Sequence, residues 1–291
     1  MSLKTNTVAV PVAVLIAAMF CFQLGAVLAK GLFPAVGAAG TTALRMALAS
    51  LMLLAVWRPW RMRASRRELR VIVCYGLALG CMNFFIYLSL RSIPLGIAVA
   101  LEFAGPLALA MAASRRAIDF AWILMAALGL LALLPLGFGS APLDTPGVAC
   151  ALAAGVCWAL YIYFGRKAGA AHGGQTTALG MVVGAIVIVP IGVAQAGAQL
   201  VSPAILPVAL TVALLSSALP YSLEMLAMPR LPTRTVGVLM SLDPALGALS
   251  GLCFLGEHLS WVQWAAIASI MAASAGSAAT SRTDVPQLLP D

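Results

Sequence analysis

Four charged side chains lie deep inside long apolar stretches of this sequence: Arg45, Glu102, Glu224 and Asp243. A charged side chain at the centre of a bilayer costs about 2.5–3.5 kcal/mol on insertion scales, so such residues are usually paired or functional. A guanidinium binds a carboxylate through two hydrogen bonds, and a carboxylate can hold an ammonium group or carry a proton. These residue types suit the binding of a small zwitterion inside a membrane.

Arg45 lies about ten residues into its apolar stretch, which puts it near mid-membrane at about 1.5 Å of rise per residue. One interpretation makes it the anchor of a substrate carboxylate. The other makes it half of a standing ion pair with an intramembrane acid, and the residues alone favour this one. Both stay open at this point.

Asp243 and Glu102 each lie close to a proline within an apolar stretch. Asp243 directly precedes Pro244, which cannot donate to the carbonyl of Met240, and we expect a bend there with a cation-friendly carbonyl beside the carboxylate. Glu102 lies four residues before Pro106, where a freed carbonyl is expected for the same reason. We expect both acids to bind substrate or a proton, with a structural pair (Arg45 in the case of Glu102) as the alternative.

Glu224 lies near the end of its apolar stretch, and two interpretations of it are equally supported. Arg230 or Arg234 could neutralise it across a short connection, or it could take part in gating or substrate binding. Neutral polar side chains inside other stretches are expected to add hydrogen bonds to the same site, although such groups also hold membrane helices together. They are Asn83, Tyr87, Gln23 and Tyr221.

The elements that carry these residues are membrane helices. Of 291 residues, 63% are hydrophobic and 9% are charged, whereas a soluble domain has roughly 25% charged residues. Apolar runs of about 20 residues can cross a bilayer as helices. The sequence predicts an all-α polytopic membrane protein with ten spans: Val8–Ala29, Val36–Trp57, Val71–Leu90, Pro94–Ala113, Ile118–Leu136, Gly147–Gly165, Thr176–Ala196, Pro203–Met225, Val236–Gly256 and Leu259–Thr280.

The basic residues predict the orientation of these spans. With ten spans, every lysine and arginine except Lys30, Arg45 and Arg91 falls on one side. Short loops rich in such residues stay in the cytoplasm, so both termini are predicted to be cytoplasmic. The net charge of +8 is accounted for by these loops, and nucleic-acid binding is not expected.

Several short phrases of the sequence occur twice at a nearly constant offset, which runs from 135 residues between Thr41 and Thr176 to 138 residues between Pro94 and Pro232. The matches are AAMFCFQL with AAGVCWAL, TTALRM with TTALGM, Pro94 with Pro232, and Pro106 with Pro244. Collinear matches indicate internal duplication. We predict two five-helix repeats, residues 1–140 and 146–281, followed by a cytoplasmic tail, residues 282–291. Because five is odd, the second repeat is inverted, an architecture of secondary transporters that bind substrate at the midplane.

The closing run LCFLGEHLSWVQW resembles the EamA-type family of the drug/metabolite transporter superfamily. IPLGIAVALEFAGPLALA, SRRAIDFAW, LPYSLEM and RLPTRTVGVLMSLDPALGALSG are similar to its threonine- and homoserine-exporting members. The resemblance implies a bacterial inner-membrane transporter that exports L-threonine and L-homoserine without hydrolysing ATP. One departure is Asp243, where those members carry glutamate.

We therefore expect an exporter of small neutral amino acids that works by alternating access, with proton coupling as a further hypothesis based on the buried carboxylates. The alternatives are an exporter of drugs or other small metabolites and, from another class, a membrane-embedded enzyme or receptor. The two histidines lie in loops at opposite faces and no nucleophile–base motif is present, so no catalytic residue, metal or cofactor is expected. Oligomeric state and the preference between threonine and homoserine stay open.

Overall fold

In a computed structural model the chain is α-helical, and the structure describes residues 6–112, 117–133 and 143–280. Among these residues, seven helices are long and apolar enough to cross a membrane, and two shorter apolar helices accompany them at Leu95–Leu109 and Phe120–Leu133. This confirms the prediction of an all-helical, multi-span membrane protein. The predicted tail at 282–291 and most of the connection that follows the fifth predicted span lie outside the described residues.

The helices follow one another with short connections. In chain order they are α1 Asn6–Trp57, α2 Arg66–Ser89, α3 Leu95–Ala112, α4 Ala117–Leu133, α5 Thr145–His172, α6 Gly174–Ala196, α7 Leu206–Ala213, α8 Leu219–Ala227, α9 Thr233–Met240, α10 Asp243–Leu255 and α11 Trp261–Thr280. Short 3₁₀ turns cover Pro59–Arg61, Gly197–Val201 and Met228–Arg230, and a π-helical turn at Leu214–Ala218 joins α7 to α8.

The first two predicted spans are joined without a loop. Helix α1 runs on through the connection expected after Ala29 and is broken inside the second predicted span, at Gly37, whose φ is 68° and ψ 171°. Only glycine adopts this backbone conformation readily, because a Cβ would clash there. The chain therefore changes direction at one residue, and the two parts of α1 are residues 6–36 and 38–57.

The ninth predicted span is irregular near its middle, where Ser241 and Leu242 form a turn. Helix α9 ends at Met240, and α10 begins at Asp243 after a turn in which the Leu242 amide donates to the Leu239 carbonyl over 2.9 Å. Pro244 falls in the first turn of α10, where a residue without an amide hydrogen is tolerated. The break puts Asp243 at the very start of a helix in the interior of the protein.

Glycines set the closest helix contacts, and those of α2 and α6 are spaced as G-x-x-x-G pairs. A Cβ on Gly76 would lie 2.6 Å from the carbonyl oxygen of Gly180, and one on Gly80 would lie 2.8 Å from the Cα of Gly184. Helix α3 meets α5 even more closely, since a Cβ on Gly105 would overlap the carbonyl of Gly155. These contacts bring the charged residues of α1 and α3 toward one centre.

An ion pair ties three segments together at one end of the molecule. The Lys30 ammonium group of α1 contacts the Glu257 carboxylate at 2.5 Å, and the other oxygen of Glu257 accepts from the Leu95 amide at 2.7 Å. That amide is one of the free donors at the start of α3, where an anion is favourable. The contact links the start of α3 to the connection between α10 and α11.

Candidate functional site

Arg45 is held in the interior by neutral groups. Its side chain is 3% exposed; Nε donates to the Ser217 hydroxyl over 2.8 Å, and Nη2 donates to the Ser216 carbonyl over 2.9 Å. The guanidinium carbon lies 4.8 Å from the centre of the Tyr87 ring, a cation–π contact. Among the described side chains no carboxylate lies within 4 Å of Arg45, so the structure shows no close ion pair there.

Both partners of Arg45 lie in the π-helical turn between α7 and α8. Pro220 has no amide hydrogen to give to the Ser216 carbonyl four residues earlier, so that carbonyl can accept from Arg45. The turn also packs tightly on α1, because a Cβ on Gly25 would overlap Ser216. Turns of this kind inside α-helices are frequent at functional sites. The irregular turn before Pro220 thus provides the acceptors for the Arg45 guanidinium.

Three carboxyl groups surround the same region. Glu102 of α3, Glu224 of α8 and Asp243 of α10 are each at most 8% exposed. Glu102 lies within electrostatic range of both Arg45 and Asp243, and Asp243 in turn lies within range of Glu224. The structure brings all four predicted charged residues together, and we call Arg45, Glu102, Glu224 and Asp243 the charged cluster.

Polar atoms without a partner occur in the charged cluster and beside it. Among the buried side chains that the structure describes, the Tyr87 hydroxyl and the Oδ1 atom of Asp243 make no hydrogen bond. Buried polar groups are normally satisfied, so each such group calls for a ligand, a water or an ion. Arg45 also uses only two of its five donor hydrogens in the described contacts. Donors and acceptors for a further molecule are therefore present on both sides of the cluster.

The three remaining predicted residues line the cluster. Gln23 of α1 donates from Nε2 to the Asp243 carbonyl over 3.5 Å. Asn83 of α2 donates to the Leu79 carbonyl over 2.8 Å and lies within hydrogen-bonding range of the Tyr221 hydroxyl. The Tyr221 ring meets Phe22 edge to face at 5.1 Å. Asn83 and Gln23 thus orient neighbouring groups and do not themselves carry charge.

Two expectations for individual residues need correction. Pro106 leaves α3 unbroken, and the carbonyl of Glu102 faces α5, because a Cβ on Gly155 would lie 2.6 Å from its oxygen. That carbonyl is therefore not presented to the charged cluster. Arg230 donates to the Leu226 carbonyl over 2.6 Å and makes no ion pair with Glu224 in the described structure. The Arg234 side chain lies outside the described part.

Sequence reasoning missed Ser216 and Ser217, which fix the position of Arg45. Serine in a membrane helix usually bonds the backbone of its own helix, as Ser216 does by donating to the Val212 carbonyl over 2.6 Å. Pro220, four residues after Ser216, was the sequence feature that could have revealed them. A proline leaves the carbonyl four residues earlier without its helical hydrogen bond.

The arrangement can bind a small zwitterion. The free donors of Arg45 suit a carboxylate, and the unpartnered Asp243 oxygen suits an ammonium group, with the two set on different helices. Among the described residues no cluster of three or more metal-binding side chains occurs.

Comparisons with known proteins agree with a transporter. The model of the EamA-like transporter family matches residues 145–278. Over 278 residues the chain is 55% identical to the threonine/homoserine exporter RhtA of Salmonella typhimurium LT2. The alignment covers 96% of this chain and 94% of the relative. It is also 52% identical over 283 residues to RhtA of Escherichia coli K12, covering 97% of this chain and 96% of that one. The chain belongs to the EamA-like transporter family.

This membership confirms the resemblance seen in the sequence, and it makes the protein a transporter and not an enzyme. A solved crystal structure of a protein 21% identical in sequence superposes with a TM-score of 0.64, covering 92% of this chain and 96% of that chain. At this identity the similarity shows the fold alone. The transporter thus has a known fold as well as close relatives.

Proposed function

We propose that this transporter exports L-threonine and L-homoserine across the bacterial inner membrane and binds them at the charged cluster. The observation that carries the proposal is Arg45, a buried guanidinium that is anchored by serines and free of any described carboxylate. The relatives named as threonine/homoserine exporters, which span nearly the whole chain, support the choice of substrate.

In this proposal Arg45 binds the substrate carboxylate while the Tyr87 ring lies beneath the guanidinium. Asp243 accepts from the ammonium group, and Glu102 and Glu224 set the surrounding negative charge. A hydroxylated side chain finds neutral partners in Asn83, Tyr221, Gln23 and the Tyr87 hydroxyl. A drug-like aromatic cation is the second candidate of the same superfamily, and it would leave the free donors of Arg45 unsatisfied.

We infer that the chain crosses the membrane ten times, as two inverted five-helix repeats at 1–140 and 146–281, with both termini in the cytoplasm. Packing supports the repeats, because helices in equivalent positions pair: residues 38–57 with α6, α3 with α10, and α4 with α11. The family model also covers nearly the same residues as the second repeat. Rocking of one repeat against the other would expose the cluster to each side in turn.

Expression in bacteria lacking their own threonine and homoserine exporters tests the substrate. We expect cells carrying this chain to tolerate an excess of either amino acid and to release it into the medium. Arg45→Met, made to the same level in the membrane, is the matched control and should give no tolerance. Equal sensitivity of cells with and without the chain would contradict the proposal.

We further infer that efflux is coupled to the proton gradient, because the cluster holds three carboxyl groups and one permanent positive charge. A carboxyl that releases a proton can then accept the substrate ammonium. Threonine efflux from loaded vesicles should be faster with a pH gradient across the membrane than without one. Identical rates in the two conditions would exclude coupling.

A further inference from the structure

A cavity of about 150 Å³ lies between α2, α5, α6 and α8, apart from the charged cluster. Its size is roughly ten times the space that one water molecule requires. The lining carries hydroxyl groups and no charged side chain; it includes Tyr75, Tyr161, Gly165, Gly173, Thr177 and Met225. Such a lining can hydrogen bond a small polar molecule without holding it tightly.

The cavity extends from the end of α5 toward the interior. Gly165 and Gly173, at its outer part, are partly exposed beside the connection between α5 and α6, where Arg166 and Lys167 precede the turn. Under the proposed orientation this basic end faces the cytoplasm. At its inner part, Tyr75 is only 3% exposed.

Two stacked tyrosine rings close the inner end of the cavity. The rings of Tyr75 and Tyr161 lie 4.9 Å apart with an angle of 30° between their planes. Both rings lie within electrostatic range of Glu224, so the pair stands next to the charged cluster. In the proposed repeats the two rings come from different halves, which move against each other during transport.

Glycines fix the position of the Tyr75 ring. A Cβ on Gly180 would overlap the ring, and one on Gly165 would lie 3.2 Å from it. Gly180 occupies the place in TTALGM that Arg45 occupies in TTALRM. The first copy of the phrase therefore supplies the arginine of the cluster, and the second copy supplies the space for this ring.

We propose that the cavity is the inner vestibule for a small neutral amino acid and that Tyr75 and Tyr161 form the gate between it and the charged cluster. The inference rests on the proposed function for the identity of the ligand, but physical access through the gate can be measured without any transport. In this state the gate is closed, because the rings are stacked and the cluster is buried.

Native Cys157, a partly exposed thiol on α5, is the reporter. It lies one helical turn before Tyr161 on α5, within electrostatic range of Glu102 and Cys81. With the other five cysteines replaced by serine, a membrane-impermeant thiol reagent is applied to inside-out vesicles. We expect slow modification of Cys157, at least tenfold faster modification after Tyr161→Ala, and no change after Tyr161→Phe, which keeps the ring.

The vestibule itself is tested with Met225→Cys in the same background, with all six native cysteines replaced, because Met225 lines the cavity and is partly exposed. We expect this cysteine to be modified from the inner face both with Tyr161 intact and after Tyr161→Ala. Its modification in the Tyr161→Ala protein also verifies that this variant is folded. When L-threonine is present, we expect slower modification. An unreactive cysteine at 225 with Tyr161 intact, or equal Cys157 rates with and without the Tyr161 ring, would overturn the gate. Rates that follow the gate but ignore L-threonine would overturn only the ligand, and with it the proposed function.

Discussion

Arg45 is the one positive charge of the charged cluster, and its serine partners decide what else it can bind. Ser216 and Ser217 accept from two of its donors, and the other three have no described acceptor. Because the two serines are neutral, they do not neutralise the positive charge of Arg45. A substrate carboxylate can do so. The side chain is thus positioned before substrate arrives, and this lowers the cost of ordering it on binding.

The two serines allow a matched test of this anchoring. Ser217→Ala removes a hydrogen bond to a charged donor, worth about 1.5–3 kcal/mol, so we expect roughly a tenfold or larger rise in the KM for threonine efflux. Ser216→Ala keeps the carbonyl that serves Arg45 and loses only a bond within its own helix, so its KM should stay near that of the wild type. Equal KM values for the two variants would contradict the anchoring role.

Asp243 provides a second test at the residue scale. Asp243→Asn keeps the shape of the side chain, and because Oδ1 has no described partner, the folded yield should change little. Threonine efflux should fall at least tenfold, since the substrate ammonium loses its anionic partner. Ser89→Ala, which removes another buried polar atom without a described partner, is the control and should export normally. Normal efflux by Asp243→Asn would show that the acid does not bind substrate.

The sequence predicted the charged residues because charge inside an apolar stretch is costly and therefore conspicuous. It could not decide between a substrate anchor and an ion pair for Arg45, because that depends on which helices meet. The decisive partners are two serines, the type of residue that is least conspicuous in a membrane helix.

At the scale of the elements, irregular helices build the site. The π-helical turn after α7 accepts Arg45, and the break between α9 and α10 puts Asp243 at a helix start. Proline marked both places in the sequence, but the form of each irregularity depends on tertiary packing. The opposite happened at Pro106, where α3 continues and its freed carbonyl faces Gly155.

A larger side chain at the close contact of α3 with α5 is predicted to destabilise the folded protein. Gly105→Ala would push a methyl group into the Gly155 carbonyl, and overpacking of this kind costs about 1–3 kcal/mol. We expect a lower melting temperature of the purified protein in detergent. Gly31→Ala, where nothing lies within 4 Å of the added carbon, should leave the melting temperature unchanged or raise it. A variant at 105 as stable as the wild type would contradict the close contact.

At the scale of the whole molecule, the proposed duplication explains why one phrase of sequence serves two purposes. Equivalent helices pack on each other, yet Arg45 and Gly180 differ, and a single asymmetric substrate requires only one arginine. Composition and repeats were enough to predict a multi-span helical transporter. They could not predict that residues 30–35 are helical. A loop of several residues could have reversed the chain as well as the single break at Gly37 does.

The proposed orientation can be tested with two exposed arginines. Arg63 lies in the basic connection after α1, and Arg91 lies after α2. The test uses the variants Arg63→Cys and Arg91→Cys. In a background without other cysteines, an impermeant thiol reagent added to intact spheroplasts should modify the cysteine at 91 and spare the one at 63. Inside-out vesicles should give the reverse pattern. Modification of position 63 in intact spheroplasts would contradict cytoplasmic termini.

Efflux of labelled L-threonine from loaded proteoliposomes tests directly whether this chain carries threonine through a cluster organised by Arg45. We expect efflux well above that of protein-free liposomes, and at least tenfold slower efflux for Arg45→Lys, because an ammonium group keeps the charge but cannot bind a carboxylate in the same two-bonded way. Efflux by Arg45→Lys equal to that of the wild type, or none by the wild type itself, would contradict the account.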